Sequence, residues 1–216
     1  MKLYYAPGAC SLAAHIVLEW TGASYQAIRL NHDSMKSPAY LARNAAGTVP
    51  LLEHGDFTLT ENVAILGYLA DLYPQARLLG EATPRGRSDV MRWLGFLNSD
   101  VHKSFLPIFR ASHFLEEESL AGMLAYKASQ HIRAHLQRLD AQLAGRDWLT
   151  GTRSIADPYL LVMLRWAVGL DIGLYGLCHL MRFARRMEAD PGVQAAILGE
   201  EGALAPSSST TDALRA

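Results

Sequence analysis

The first third of the chain switches between two hydrophobic periods. Leu3-Tyr4-Tyr5 is a short apolar run that meets a Pro7-Gly8 turn, and it reads as a strand. Leu12, Ile16, Leu18 and Trp20 then recur at helical spacing over 11–21, where Gly22 should end the helix. Residues 25–30 alternate and predict a second strand. Ser37-Pro38 opens a short helix through Ala42, with proline at a tolerated early position. Residues 49–52 and 57–59 are strand fragments on either side of His54-Gly55-Asp56, a hairpin turn. Val63, Leu66, Leu69 and Leu72 share one side of a helix over 61–73, which Pro74 stops. The order is β-α-β-α-β-β-α, with a right-handed parallel crossover first and a hairpin last.

Beyond 74–84 the strand signal fades. One helix is expected over 89–108, ending near Pro107. A second, over 116–143, turns Met123, Leu124, Ile132, Leu136, Leu139 and Leu143 inward, and Gly145 marks its end. Ser154 stands three residues before Asp157 and reads as a capping box, with the carboxylate reaching back to the Ser154 N–H. Residues 159–168 are apolar nearly all round, which predicts a buried central helix. Leu177, Leu180, Met181, Ala184 and Met187 form a stripe opposite Arg182, Arg185 and Arg186. From Ala205 onward there is little to bury, and a loose tail is expected. The chain therefore divides into an α/β domain over 1–76, a linker over 77–84, an all-helical domain over 85–200 and a tail over 201–216.

Composition narrows the function classes. Half of the 216 residues are apolar, and 20 basic side chains are mixed with 21 acidic ones for a net charge of -1. Neither a nucleic-acid footprint nor a polybasic membrane patch is expected from that balance. Lys2 and the short run before Pro7-Gly8 lack the layout of a signal peptide, and no apolar run has transmembrane length. Cys10 and Cys178 are the only cysteines. A reducing cytoplasm is their natural setting. The histidines read as scattered, and metal binding is not expected.

Cys10 is the leading chemical candidate. It stands where a strand and turn give way to a helix, facing unpaired N–H groups and the positive helix end. Both favour thiolate over thiol. The competing reading is a small buried core cysteine.

Five segments in order carry a resemblance. They are Lys2-Leu3-Tyr4-Tyr5-Ala6-Pro7-Gly8-Ala9-Cys10-Ser11-Leu12 with His15; Gly47-Thr48-Val49-Pro50-Leu51-Leu52; Leu59-Thr60-Glu61-Asn62-Val63-Ala64-Ile65; His102-Lys103 with Phe105 and Pro107; and Ser154-Ile155-Ala156-Asp157 through Trp166. Together they resemble the glutathione S-transferases, most closely the bacterial beta class. The resemblance implies a thioredoxin-like N-terminal domain with a four-stranded mixed sheet, an all-helical second domain, and glutathione as co-substrate without a metal. It implies that Val49 offers a backbone edge to the cysteinyl unit beside a cis Pro50. Glu61 would accept from the α-ammonium. Asn62 and the neighbouring N–H groups would hold the glutamyl carboxylate, and Lys36 would meet the glycyl carboxylate. Cys10, Ser11 and His102 would surround the sulfur, with Lys103 and Arg110 adding positive potential. Tyr4 and Tyr5 would not take the catalytic role, and His15 would be a core or cap residue.

The second substrate would be a small hydrophobic electrophile in a pocket lined from 102–109, with Phe105, and from Trp166 or Met163. The partners implied are glutathione, that electrophile and a second copy of the chain in a cytoplasmic homodimer, with no nucleic acid and no membrane. Two other functions are compatible with the motifs: a disulfide reductase or dehalogenase working through a Cys10 mixed disulfide, and a non-catalytic glutathione-binding scaffold. Two positions depart from the family pattern. Asn62 stands where serine is usual. Gly95 stands where an asparagine often helps to hold glutathione, with Asn98 one turn away.

Overall fold

A parallel crossover opens the fold. The computed structural model describes residues 1–202. Strand β1 (Lys2–Tyr5) leads through α1 (Leu12–Thr21) to β2 (Gln26–Arg29), which pairs with β1 in parallel, Lys2 opposite Gln26. Gly22 ends α1 at φ 67, a left-handed conformation that glycine adopts without a Cβ penalty. Strands β3 (Leu51–His54) and β4 (Phe57–Thr60) form the hairpin, and β3 runs antiparallel to β1. The sheet order is β2-β1-β3-β4. The expected strand start at Val49 moves to Leu51, and the Val49-Pro50 bond before β3 is cis.

Two short helices fill the β2–β3 connection, α2 (His32–Met35) and α3 (Pro38–Leu41). The second matches expectation. The first has no hydrophobic period, and a reciprocal box between Asn31 and Ser34 makes it. Helix α4 (Asn62–Leu72) follows β4 and packs on α1. Leu3, Ile16, Leu52 and Leu66 are fully buried between the sheet and these helices.

The second domain departs more from the periodic reading. Thr83 caps α5 (Pro84–Phe96), so the helix starts five residues earlier than expected. The single helix expected over 89–108 is divided. A π-helical stretch, Leu97–His102, follows α5, and α6 (Leu106–Phe109) is a separate short helix. Helix α7 (Ala121–Gln142) starts later than 116; Met123 is exposed rather than inward, while Ile132, Leu136, Leu139 and Leu143 are fully buried.

Helix α8 (Ala156–Gly169) is buried throughout 156–164, as its composition predicts, but Arg165 and Val168, within the span expected to be buried, are exposed. Its start is tied by Asp157. One carboxylate oxygen accepts from the Ser154 N–H at 2.7 Å and hydroxyl at 3.0 Å, and the other accepts from the Leu149 N–H at 2.9 Å. Burial pushes the Asp157 carboxyl up to about 6, against the pull of these donors. Helix α9 (Cys178–Glu188) carries the expected stripe, with Phe183 added to it.

Helix α10 (Pro191–Gly202) has no strong periodic signal, and the sequence pattern does not predict it. It packs on α1, whose residues 12–18 are all buried between the sheet, α4, α8 and α10. One continuous apolar core therefore runs through both domains. Residues 201 and 202 belong to α10 rather than to a loose tail, and the rest of the expected tail lies outside the described residues.

Candidate functional site

A cavity of about 700 Å³ opens between the two domains. Its N-terminal wall includes Cys10, Lys36, Val49 and Pro50, with Glu61 and Asn62 at the start of α4. The helical wall presents Asn98 and His102 from the π-helical stretch, Leu106 and Phe109 from α6, and Tyr159 and Trp166 from α8.

The thiol of Cys10 donates to the Val49 carbonyl at 3.7 Å. Burial pushes it up to about 12, and the Glu61 carboxylate adds to the rise, while N–H groups of the turn oppose it. The helix-end argument for a thiolate thus loses to desolvation: Cys10 is a protonated donor at neutral pH. Ser11 does not reach the cavity. It is fully buried, and its hydroxyl exchanges two 3.3 Å hydrogen bonds with the backbone of Ala6. It closes the turn that presents Cys10.

The Val49-Pro50 loop is held from behind. The Tyr40 hydroxyl donates to the Thr48 carbonyl at 2.6 Å, and the Asn44 amide donates to the same oxygen at 2.8 Å. Lys36 donates to the Gly47 carbonyl at 3.2 Å. Gly47 itself sits at φ 59, and a Cβ there would come within 2.9 Å of the Lys36 ammonium.

Glu61 is exposed at the cavity with φ 69 and ψ 117, a conformation costly for a residue with a Cβ. It supplies no side-chain cap to α4. Asn62 is buried, and its amide donates to the Cys10 carbonyl at 3.2 Å. That differs from the expected donation to a carboxylate. What Asn62 keeps free is an acceptor, because its Oδ1 is buried without a partner.

His102 and Tyr159 meet across the helical wall. The His102 Nδ1 lies 2.7 Å from the Tyr159 hydroxyl, which donates to Asn98 Oδ1 at 3.0 Å. Burial holds the Tyr159 phenol above its usual range, so its one proton stays on oxygen and goes to Asn98. In the tautomer in which His102 donates from Nδ1 to Tyr159, Nε2 is left bare. Burial also lowers His102 to about 4, so the ring is neutral at pH 7. Trp166 packs edge-on to it with ring centroids 4.8 Å apart.

The turn before Cys10 is gripped from the second domain. The Trp166 indole donates to the Gly8 carbonyl at 2.7 Å, and the Gly8 N–H donates to Glu200 Oε2 at 3.2 Å. Glu200, on α10, is buried and lies 3.6 Å from His15, itself in the core.

Several expected positions change role. Phe105 and Met163 are fully buried and do not line the cavity; Phe105 stacks behind Phe109, and Trp166 is the residue that reaches the wall. Lys103 does not line it, whereas Arg110 does. Gly95 is away from the wall, with open space where a Cβ would stand, while the π-helical stretch brings Asn98 in. Sequence reasoning missed Tyr159 and Glu200 as site residues. Tyr159 was readable as a hydroxyl in an otherwise apolar helix, whereas no local pattern marks Glu200. The histidines are also not all scattered: His131 and His135, one turn apart on α7, bring their Nε2 atoms to 3.1 Å.

Residues 1–71 match the family described as "Glutathione S-transferase, N-terminal domain". The chain is 45% identical to glutathione S-transferase GST-4.5 of Xanthomonas campestris, over 93% of this chain and 98% of the relative. It is similar to a sphingomonad glutathione S-transferase solved in complex with glutathione, with TM-score 0.82 and 37% identity over 93% of this chain and 99% of that one. It is also similar to the bacterial beta class glutathione S-transferase of Sphingomonas chungbukensis, with TM-score 0.82 and 35% identity over 93% and 98% of the two chains. With this fold and this interdomain cavity, the chain belongs to the glutathione S-transferase family, and its relatives include the bacterial beta class.

Proposed function

We propose that the chain is a glutathione transferase in which His102 receives the proton of the glutathione thiol. The observation that carries this reading is the chain of hydrogen bonds from Asn98 through Tyr159 to His102, which leaves a bare Nε2 on the cavity wall. The glutathione S–H gives its proton to Nε2; burial, which holds the ring at about 4 in the free chain, opposes the imidazolium, and the thiolate formed beside it offsets that cost. The protonated Cys10 thiol is a donor for that thiolate. The sulfur then attacks a carbon electrophile, a new C–S bond forms as the leaving group departs with its electron pair, and the proton on Nε2 passes to the leaving group or to water.

Binding follows from the N-terminal wall. The cysteinyl backbone pairs with the Val49 edge beside Pro50. Glu61 accepts from the α-ammonium, and the first N–H groups of α4 hold the glutamyl carboxylate. Asn62 contributes an acceptor for a ligand N–H, since a buried oxygen without a partner is unfavourable until one arrives. Lys36 is the cation for the glycyl carboxylate. Leu106, Phe109 and Trp166 suit a small hydrophobic electrophile, so detoxification of such compounds is the role that fits.

A Cys10 mixed disulfide is disfavoured, because a thiol pushed up to about 12 is a poor nucleophile at neutral pH. The working form in this reading is a homodimer. Phe57, Leu72 and Met91 leave apolar surface exposed on β4, α4 and α5. Two free cysteines suit a cytoplasmic setting, and among the described residues no helix is long and apolar enough to cross a membrane.

The test is conjugation of glutathione to an aryl halide by the wild-type chain and by His102→Gln. The expected result is turnover in the wild type, a kcat about 10²-fold lower in the variant, and a KM for glutathione within about threefold. Binding without turnover in the wild type would make the chain a scaffold, and a resting glutathione adduct on Cys10 by intact mass would make it a reductase.

A further inference from the structure

Three metal-ligating side chains converge where the last turn of α7 meets the first turn of α9. Asp140 comes from α7, and Cys178 and His179 are the first two residues of α9. One ligand atom from each, a carboxylate oxygen, the sulfur and a ring nitrogen, lies within 4.8 Å of the other two. None of the three lines the interdomain cavity.

Two observations go beyond proximity. Asp140 is already oriented: its Oδ1 accepts from the Leu180 N–H at 2.9 Å, one residue beyond the Cys178-His179 pair. His179 Nδ1 is buried and has no hydrogen-bond partner. A buried ring nitrogen in that state is unfavourable, and metal ligation is one way to satisfy the ring, either directly or by fixing its tautomer. Cys178 is a free thiol and exposed, so an ion can enter from solvent.

We propose that Asp140, Cys178 and His179 bind a zinc-class divalent cation, with water in a fourth position. The donor set selects this class. A thiolate and an imidazole suit zinc and its neighbours, whereas magnesium and calcium require oxygen ligands throughout. Charge also balances, since one thiolate and one carboxylate neutralise a dication. Binding releases the Cys178 thiol proton to solvent and involves no change of oxidation state. The ion takes no part in the glutathione chemistry. Its effect is to pin α9 to α7.

The experiment uses the full chain without glutathione, with Cys10→Ser present so that Cys178 is the sole thiol. Cobalt(II) is titrated as the spectroscopic probe and displaced by zinc. The expected result is one equivalent of cobalt with a thiolate-to-cobalt charge-transfer band. Cys178→Ser should abolish the band, and His179→Ala and Asp140→Asn should each weaken binding by more than about tenfold, the loss that even outer partners of a metal site produce. Zinc should raise the melting temperature of the parent and not of these variants. Cys178 is exposed, and in Asp140→Asn the side-chain amide oxygen can still accept from the Leu180 N–H, so folding is not at stake in those two variants. Absence of the band, or a band unaffected by both His179→Ala and Asp140→Asn, overturns the site. Cobalt held by His131 and His135 would lack the thiolate band and would also count against it.

Discussion

The His102 Nδ1 lies 2.7 Å from the Tyr159 hydroxyl, and in the tautomer that donates to it Nε2 is the nitrogen left as an acceptor. Tyr159→Phe removes the acceptor and frees the ring to take the other tautomer. The expected outcome is a kcat lower by about tenfold or more, with little change in the KM for glutathione, because the lost interaction acts on the reacting thiol. Steady-state kinetics across pH check it, and an unchanged kcat would remove Tyr159 from the mechanism.

Stability should carry a signature of His102 in acid. Burial lowers it from 6.5 to about 4 in the folded chain. Between those values the unfolded chain binds a proton at this position and the folded chain does not, so the contribution of His102 to stability falls as pH drops from about 6.5 to about 4. Asp157 works in the opposite sense, because its carboxyl is raised from 3.8 to about 6 and the folded chain holds the proton there. Urea unfolding of wild type and His102→Gln at several pH values separates them. The difference between the two proteins should slope with pH only in that window.

Cys10 should behave as a donor. Cys10→Ser keeps a hydroxyl donor in place of the thiol and should retain most conjugation activity, whereas Cys10→Ala should lose more. In the unliganded wild type, an alkylating reagent at neutral pH should label exposed Cys178 well before Cys10. Peptide mapping reads the order of labelling, and rapid alkylation of Cys10 would restore the thiolate reading.

Gly8 is held by Trp166 on one side and Glu200 on the other, at 2.7 and 3.2 Å. Trp166→Phe keeps an aromatic ring and removes the indole donor. It should raise the KM for glutathione several-fold, because the turn that presents Cys10 is less well organised before ligand arrives. Calorimetric titration with glutathione gives the affinity directly, and unchanged affinity would mean that the turn is held adequately without this bond.

Asp157→Ala should damage folding and spare chemistry. It strands the Leu149 and Ser154 N–H groups in the core, each at about 1–3 kcal/mol if unpaired. Denaturant titration should show a loss above about 2 kcal/mol, with the KM for glutathione unchanged in the folded protein.

The alternation of strand and helix in the first 72 residues was legible along the chain because its signals are local. Leu12, Ile16 and Trp20 stand four apart and share one side of a helix, and Gly22, Gly55 and Pro74 mark where elements stop. Asp157 was equally legible, since a capping box spans three residues. Local spacing did not decide where α5 gives way to the π-helical stretch, and so it placed Asn98 outside the site. The family resemblance also assigned Ser11 to the chemistry, although hydrogen bonds to the Ala6 backbone turn that hydroxyl away. The state of Cys10 follows the same rule: a helix start favours thiolate, but the desolvation that reverses the preference exists only once both domains are packed. The His102–Tyr159 pair spans 57 positions and the Gly8–Glu200 pair 192. Periodicity records which face of an element is apolar. Which polar groups then meet across the interface, and which protons they hold, depends on burial and on partners that only the folded chain brings together.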